Sequence, residues 1–248
     1  MSAMTIDVKA KDGVVPCYFF GPPQNEKRPA VIFYMDGIGL RPALCDMAAR
    51  LASNGYHVLL PNLYYRSGPT KPFDAATVFK GGPELDRLMP LFRSLNNHLL
   101  MEDTASFLEF LEGQPSVASG KVGCVGYCLG GAFALSAAGT FPDRIAAAAS
   151  LHGARLATDQ PDSPHLLASK MRAGVYVGVA GIDAHFTTEE KLRLESALQS
   201  AGVEHTIEVY AGAKHGFAVD DTPAYDRTAS ELHWQQILKL FAGKLVGQ

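Results

Sequence analysis

The sequence predicts an α/β fold, a single domain whose mostly parallel sheet is flanked by helices on both faces. Three observations carry that expectation. Apolar, β-rich runs alternate with stretches of helical spacing along most of the chain. The runs are apolar at consecutive positions, as strands covered on both faces are. No internal repeat and no Gly/Ser linker divides the 248 residues, so 1–248 reads as one domain.

The elements follow in order. The first twenty residues place TIDVKA and VVPCYFF around Asp12-Gly13, a hairpin signature. AVIFYM at 30–35 is a buried strand bounded by Pro29 and Gly37. Residues 41–54 carry Leu44, Met47, Ala48 and Leu51 at helical spacing and stop at Asn54-Gly55. YHVLLP at 56–61 is the next strand, and a helix is expected around 98–113. Between them, residues 62–97 hold Pro69, Pro72, Pro83 and Gly81-Gly82 and read as irregular. Tyr64, Tyr65, Phe73 and Phe79 make this stretch a folded cover over a pocket rather than a disordered loop. KVGCVGY at 121–127 is a strand and the Ala-rich run 130–140 a helix. Strands at 145–153, 174–181 and 205–210 alternate with a helix at 187–201, opened by a Thr187/Glu190 capping box. A helix near 225–242 closes the chain.

Composition narrows the function. Lys and Arg number 22 against 25 Asp and Glu, a net charge of −3, and no basic stripe appears, so nucleic acid is not an expected partner. No apolar run reaches the ~18 residues of a membrane span, and the charged start is unlike a signal peptide. Cys17, Cys45, Cys124 and Cys128 lack zinc-site spacing, so neither a metal nor a disulfide framework is expected. A soluble cytoplasmic protein is the expectation.

One motif carries chemistry. Gly126-Tyr127-Cys128-Leu129-Gly130-Gly131 joins an apolar strand to an Ala-rich helix, the strand–turn–helix context of a nucleophile elbow with Cys in place of Ser. Glycines there let strand and helix approach, and the helix N-terminus favours a thiolate at Cys128. The Leu129 amide then points to where an oxyanion would form. The competing reading is a buried structural cysteine in a glycine-rich turn; Cys124, inside the strand, fits that description better, with Cys17 and Cys45. A phosphate loop is not indicated, since neither G-x-x-x-x-G-K-[ST] nor G-x-G-x-x-G is present here.

The partners of a nucleophile should lie after later strands. His215, in AGAKHGF, follows the last strand, and Asp183, in GVAGIDAHF, follows the one before it. The order Cys128…Asp183…His215 is the nucleophile–acid–His order of α/β-hydrolases. His57 and His205 open strands, His98 and His233 sit on helices, and His165 lies in a Pro-rich loop; packing or surface roles suit them all. His152 ends a strand and could line the pocket, and His185 lies near the site through its proximity to Asp183.

These motifs, with G-I-D at 181–183 and K-H-G-F at 214–217, resemble the dienelactone hydrolase family of the α/β-hydrolase superfamily over most of the chain. The resemblance implies a Cys128–His215–Asp183 triad hydrolysing a small ester or lactone through an acyl thioester, without a cofactor. It implies an acidic residue beside the resting thiol, here Asp36, and a second oxyanion amide from Gly37. N-L-Y-Y-R at 62–66 is similar to the family's segment ending in a substrate-binding Arg, which makes Arg66 either that contact or an ion pair pinning the loop. Where the archetypal enzyme has a second Arg, four residues past its His, this chain has Val219, expected to reach the pocket and weaken recognition of a carboxylated lactone. The alternative class is a non-catalytic binding protein or a thiol redox sensor on the same fold. Oligomeric state is not legible in the sequence.

Overall fold

The structure, a computed structural model, describes residues 3–22 and 27–246, so the outermost positions of the expected 1–248 domain lie outside the described residues. Eight strands form one sheet in the order β1-β2-β4-β3-β5-β6-β7-β8. β1 (Met4–Ala10) and β2 (Gly13–Phe20) are the expected hairpin, and β2 also runs antiparallel to β4 (His57–Pro61). The remaining pairs, among β3 (Ala30–Tyr34), β4, β5 (Val122–Tyr127), β6 (Ile145–Leu151), β7 (Gly174–Ile182) and β8 (His205–Lys214), are parallel.

Every residue of β3, β4, β5 and β6 is buried, which requires cover on both faces. Neighbouring residues of β5 show what provides it. The Cys124 thiol donates to the Ala134 carbonyl of α5 (Leu129–Thr140). A Cβ on Gly123, pointing to the other face, would lie 2.9 Å from Leu245 and 3.0 Å from Phe241 of α7 (Arg227–Leu245). Side chains alternate across a strand, so α5 and α7 lie on opposite faces. α1 (Pro42–Ser53) packs on β4, α4 (Asn97–Glu112) on β1 and α5, and α6 (Thr188–Ser200), with its capping box, on β8.

Residues 62–97 differ from the expectation of an irregular stretch. They contain a short α2 (Ala75–Val78) and a three-turn α3 (Pro83–Ser94). Of the prolines that suggested irregularity, Pro83 opens α3, where a missing N–H costs nothing, and Pro69 and Pro72 precede α2. Pro90, not weighed in the sequence, lies inside α3 and removes one of its backbone hydrogen bonds. Glu84 and Asp86 in the first turn and Arg93 in the last match the helix dipole. Tyr64 and Phe73 are buried, whereas Phe79 is exposed.

Candidate active site

The carboxyl ends of the parallel strands deliver five residues to one edge of the sheet: Asp36 beyond β3, Cys128 after β5, His152 after β6, Asp183 after β7 and His215 after β8. That is where an open α/β sheet binds its ligand.

Cys128 sits at φ 53°, ψ −120°, a conformation unusual for a residue with a side chain, immediately before α5. The turn closes only because its glycines have no Cβ. One built on Gly126 would stand 1.9 Å from the Gly130 carbonyl oxygen, and one on Gly130 would stand 2.5 Å from the carbonyls of Tyr34 and Met35. Leu129 is the first residue of α5, so its N–H has no intrahelical acceptor and is free for an oxyanion.

His215 Nδ1–H donates to Asp183 Oδ2 at 2.7 Å, while Asp183 Oδ1 accepts the His185 amide, also at 2.7 Å. Both carboxylate oxygens are thereby oriented. The side chain of Asp183 is 1% exposed and that of His215 18% exposed, so the acid is enclosed and the imidazole keeps an exposed edge. Burial pulls the His215 imidazolium pKa down, but hydrogen bonds to Asp183 and Cys128, and the charges of both, outweigh it and raise the value to about 10. The other thiols are set apart. Burial raises the pKa of Cys17 to about 12 and pushes those of Cys45 and Cys124 up as well, and all four cysteines are free.

Asp36 faces the site end of β3 and is clamped by Arg41, whose Nη1 and Nη2 donate to Oδ1 and Oδ2 at 2.7 and 2.8 Å. The other edge of the same guanidinium grips Asp221, at 2.6 and 2.9 Å, in the loop after His215. The Asp36 carboxylate also takes the Ile38 amide, and its carbonyl takes the Gly39 amide, which shapes the turn around Gly37. Tyr64 OH donates to the Gly37 carbonyl at 2.6 Å, and its own pKa is pushed up by burial and by the charges of Asp36 and Cys128. Arg41 and Asp221 were not singled out in the sequence, and Tyr64 only as an aromatic of the 62–97 stretch. The one local signal was Pro42, which holds Arg41 extended at the start of α1.

Three expected contacts have a different setting. Arg66 makes a bidentate pair with Asp103 of α4, at 2.7 and 2.8 Å, and reaches Asp12 in the β1–β2 turn at 2.8 Å, the loop-pinning arrangement. His152 does not line open space. It is 1% exposed, and its ring packs edge-on to His215 at 5.1 Å, because φ 36° turns the chain beneath the imidazole. Burial, then the neighbouring His215 and His233, hold the His152 pKa well below its usual value, so it stays neutral. Val219 is fully buried and does not reach the pocket, since the tight turns 216–219 and 219–222 fold it inward. His185 lies beside His215, ring centroids 4.7 Å apart.

A cleft of about 520 Å³ lies on the far side of Tyr64, lined by Tyr18, Leu40, Cys45, Lys71 and Phe73 among others, and includes none of Cys128, Asp183 and His215. Among the described residues, no three His, Cys, Asp or Glu side chains gather as a metal site, and no helix is long and apolar enough to cross a membrane.

The sheet order, with helices on both faces, is that of the α/β-hydrolase fold. A crystal structure of a "Putative Dienelactone Hydrolase" from Klebsiella pneumoniae superposes with a TM-score of 0.83 at 21% identity, covering 98% of this chain and 99% of that one. The sequence matches the Dienelactone hydrolase family over residues 15–245, and the chain belongs to that family of carboxylic ester and lactone hydrolases. It is 25% identical to a "Putative carboxymethylenebutenolidase" of Synechocystis sp., over 98% of this chain and all of that one. It is 24% identical to "Carboxymethylenebutenolidase 1" of Cupriavidus pinatubonensis, over 96% of this chain and 95% of that protein.

Proposed function

We propose that the protein hydrolyses small carboxylic esters or lactones with Cys128 as nucleophile, His215 as acid and base, and Asp183 as the group that orients the imidazole. One observation carries the reading. A thiol on a strained elbow shares His215 with a buried carboxylate 2.7 Å from the other ring nitrogen. The raised His215 pKa favours the imidazolium, which engages both the Asp183 carboxylate and the Cys128 sulfur.

The thiolate attacks the acyl carbon, and the amides of Leu129 and Gly37 receive the developing oxyanion. Each such donor is worth roughly 2.7–4 kcal/mol of barrier. Collapse breaks the C–O bond, and the imidazolium gives its proton to the departing alkoxide. Neutral His215 then takes a proton from water, whose hydroxyl attacks the thioester. Expulsion of the thiolate releases the acid and restores the ion pair. Asp183 keeps Nδ1 protonated and Nε2 facing the chemistry. Asp36 is matched by Arg41 and shapes the oxyanion turn, Arg66 pins the cover, and the four free cysteines suit a reducing, cytoplasmic setting.

The test is a panel of aryl esters of short acids, simple lactones and carboxylated lactones. A slowly deacylated ester should leave its acyl mass on Cys128 in wild type and on no residue of Cys128→Ala. Wild-type turnover by Cys128→Ala would overturn the assignment.

A further inference from the structure

We propose that His152 is a positioning residue: its buried imidazole backs the His215 ring while its turn clasps the Cys128 backbone, so that base and nucleophile are held in one register. The inference rests on the hydrolase reading above and adds the group that aligns its two reacting side chains.

The clasp lies in the backbone. Cys128 N–H donates to the Leu151 carbonyl, and the Cys128 carbonyl accepts the Ala154 N–H, both at 3.1 Å. Residues 151–154 thus hold Cys128 through both its N–H and its carbonyl. His152 lies between these two contacts at φ 36°, and its own N–H is tied to the Gly178 carbonyl of β7 at 2.7 Å. Among the described residues, those other than glycine with a positive φ are Cys128, His152 and Arg155. Left-handed strain therefore gathers at the elbow and in the segment that clasps it. The two press together with no room for a methyl group. A Cβ on Gly131, in the first turn of α5, would stand 2.2 Å from Ser150 Oγ and 3.1 Å from the Gly153 Cα.

The ring supplies the other half. Neither of its nitrogens has a hydrogen-bond partner among the described residues, although the residue is 1% exposed. A neutral imidazole carries one donor and one acceptor, and burying both unpaired is unfavourable, so hydrogen bonding does not account for this side chain. Its contacts do. The ring meets His215 at 5.1 Å, Phe217 at 5.4 Å and Tyr127 at 5.9 Å, the spacing of edge-to-face packing. His185 also touches the His215 ring, at 4.7 Å, but it is exposed, which leaves His152 as the fixed wall. The titratable and charged groups around His152 are His215, His233 of α7, Tyr127 and Arg41. Burial first, then the charges of His215, His233 and Arg41, keep His152 neutral, so it presses on the His215 imidazolium without charge repulsion. Alignment matters here, because a misplacement of about 1 Å in a reacting group can lower a rate on the order of a hundredfold.

The test is His152→Gly, which keeps the left-handed backbone accessible and removes the ring. On a neutral aryl ester, kcat should fall at least about tenfold while KM stays within about twofold. Alkylation of Cys128 by iodoacetamide at pH 7, read by mass on the Cys128 peptide, should slow at least about threefold, because His215 no longer faces the sulfur squarely. In a His215→Ala background the same substitution should leave alkylation unchanged. His152→Asn, shorter and tolerant of the same backbone, serves if the Gly variant does not fold. Wild-type kcat and alkylation in the ringless variant overturn the proposal. So does a raised KM at unchanged kcat, which would make His152 a substrate contact. Equal slowing of alkylation in both backgrounds overturns it as well, since the ring would then act on the turn and not on His215. Alkylation needs no turnover, so it reads His152 whether or not Cys128 is the nucleophile, while failure of that assignment would show in the acyl trapping.

Discussion

Arg41 meets Asp36 edge to edge, through hydrogen bonds of 2.7 and 2.8 Å between two side chains that are 2% and 5% exposed. The free edge of the guanidinium holds Asp221. One buried cation therefore ties the turn after β3 to the loop that follows His215. Arg41 and Asp221 lie 180 residues apart in sequence. Asp36, beside the site, has its charge matched on the spot rather than left to act on the thiol alone.

Arg41→Met should destabilise the fold by about 3–5 kcal/mol, because it leaves buried carboxylate charge unpaired. Urea denaturation measures this. A loss below about 1 kcal/mol would mean that water replaces the guanidinium and the tie is weak.

Cys128→Ala and His215→Ala should each lower kcat roughly 10⁴-fold or more on any ester that the wild type cleaves, and the double variant little further, since the triad acts as a unit. Circular dichroism should show both folded. Multiplicative losses in the double variant would argue that the two residues act separately.

The His215 pKa, raised from 6.5 to about 10, has a consequence for stability. The protonated ring is favoured in the folded state, so its contribution is complete below pH 6.5 and is lost as pH rises through about 10. Histidine-resolved NMR should find His215 still protonated at pH 8, and Cys128→Ala should lower its pKa by removing one of the anionic partners. A wild-type midpoint near 6.5 would contradict the ion pair.

Arg66→Met should cost roughly 1–3 kcal/mol, because Asp103, fully buried, keeps only the Tyr65 hydroxyl. Its ratio of anionic to neutral ester kcat/KM should match the wild-type ratio. A selective rise in KM for anionic esters would return Arg66 to the substrate.

Gly126→Ala should cripple folding or turnover, since its new Cβ would lie 1.9 Å from the Gly130 carbonyl and neither backbone segment can yield without opening the elbow. Soluble expression and thermal melting check it. A variant as stable as wild type would show that the turn is slack.

Local pattern accounts for much of this protein. The strand runs, the capping box of α6, the hairpin at Asp12-Gly13 and the elbow glycines are written in neighbouring residues, and structure forms there from short-range sterics and burial. Cys128, Asp183 and His215 were legible for the same reason, each lying just after a recognisable strand. α3 was not, because its proline and glycine content spoke louder than its amphipathic face, and a helix end can place a proline where no N–H is needed.

What the tertiary structure decided is the pairing of charges and the direction of side chains, which depend on segments far apart in the chain. Arg41 found Asp36 and Asp221, and Arg66 found Asp12 and Asp103. Val219 and His152 turned inward although both follow the right strands. A sequence fixes which groups exist and on which element they ride. Which of them meet is set by long-range packing that no local period encodes.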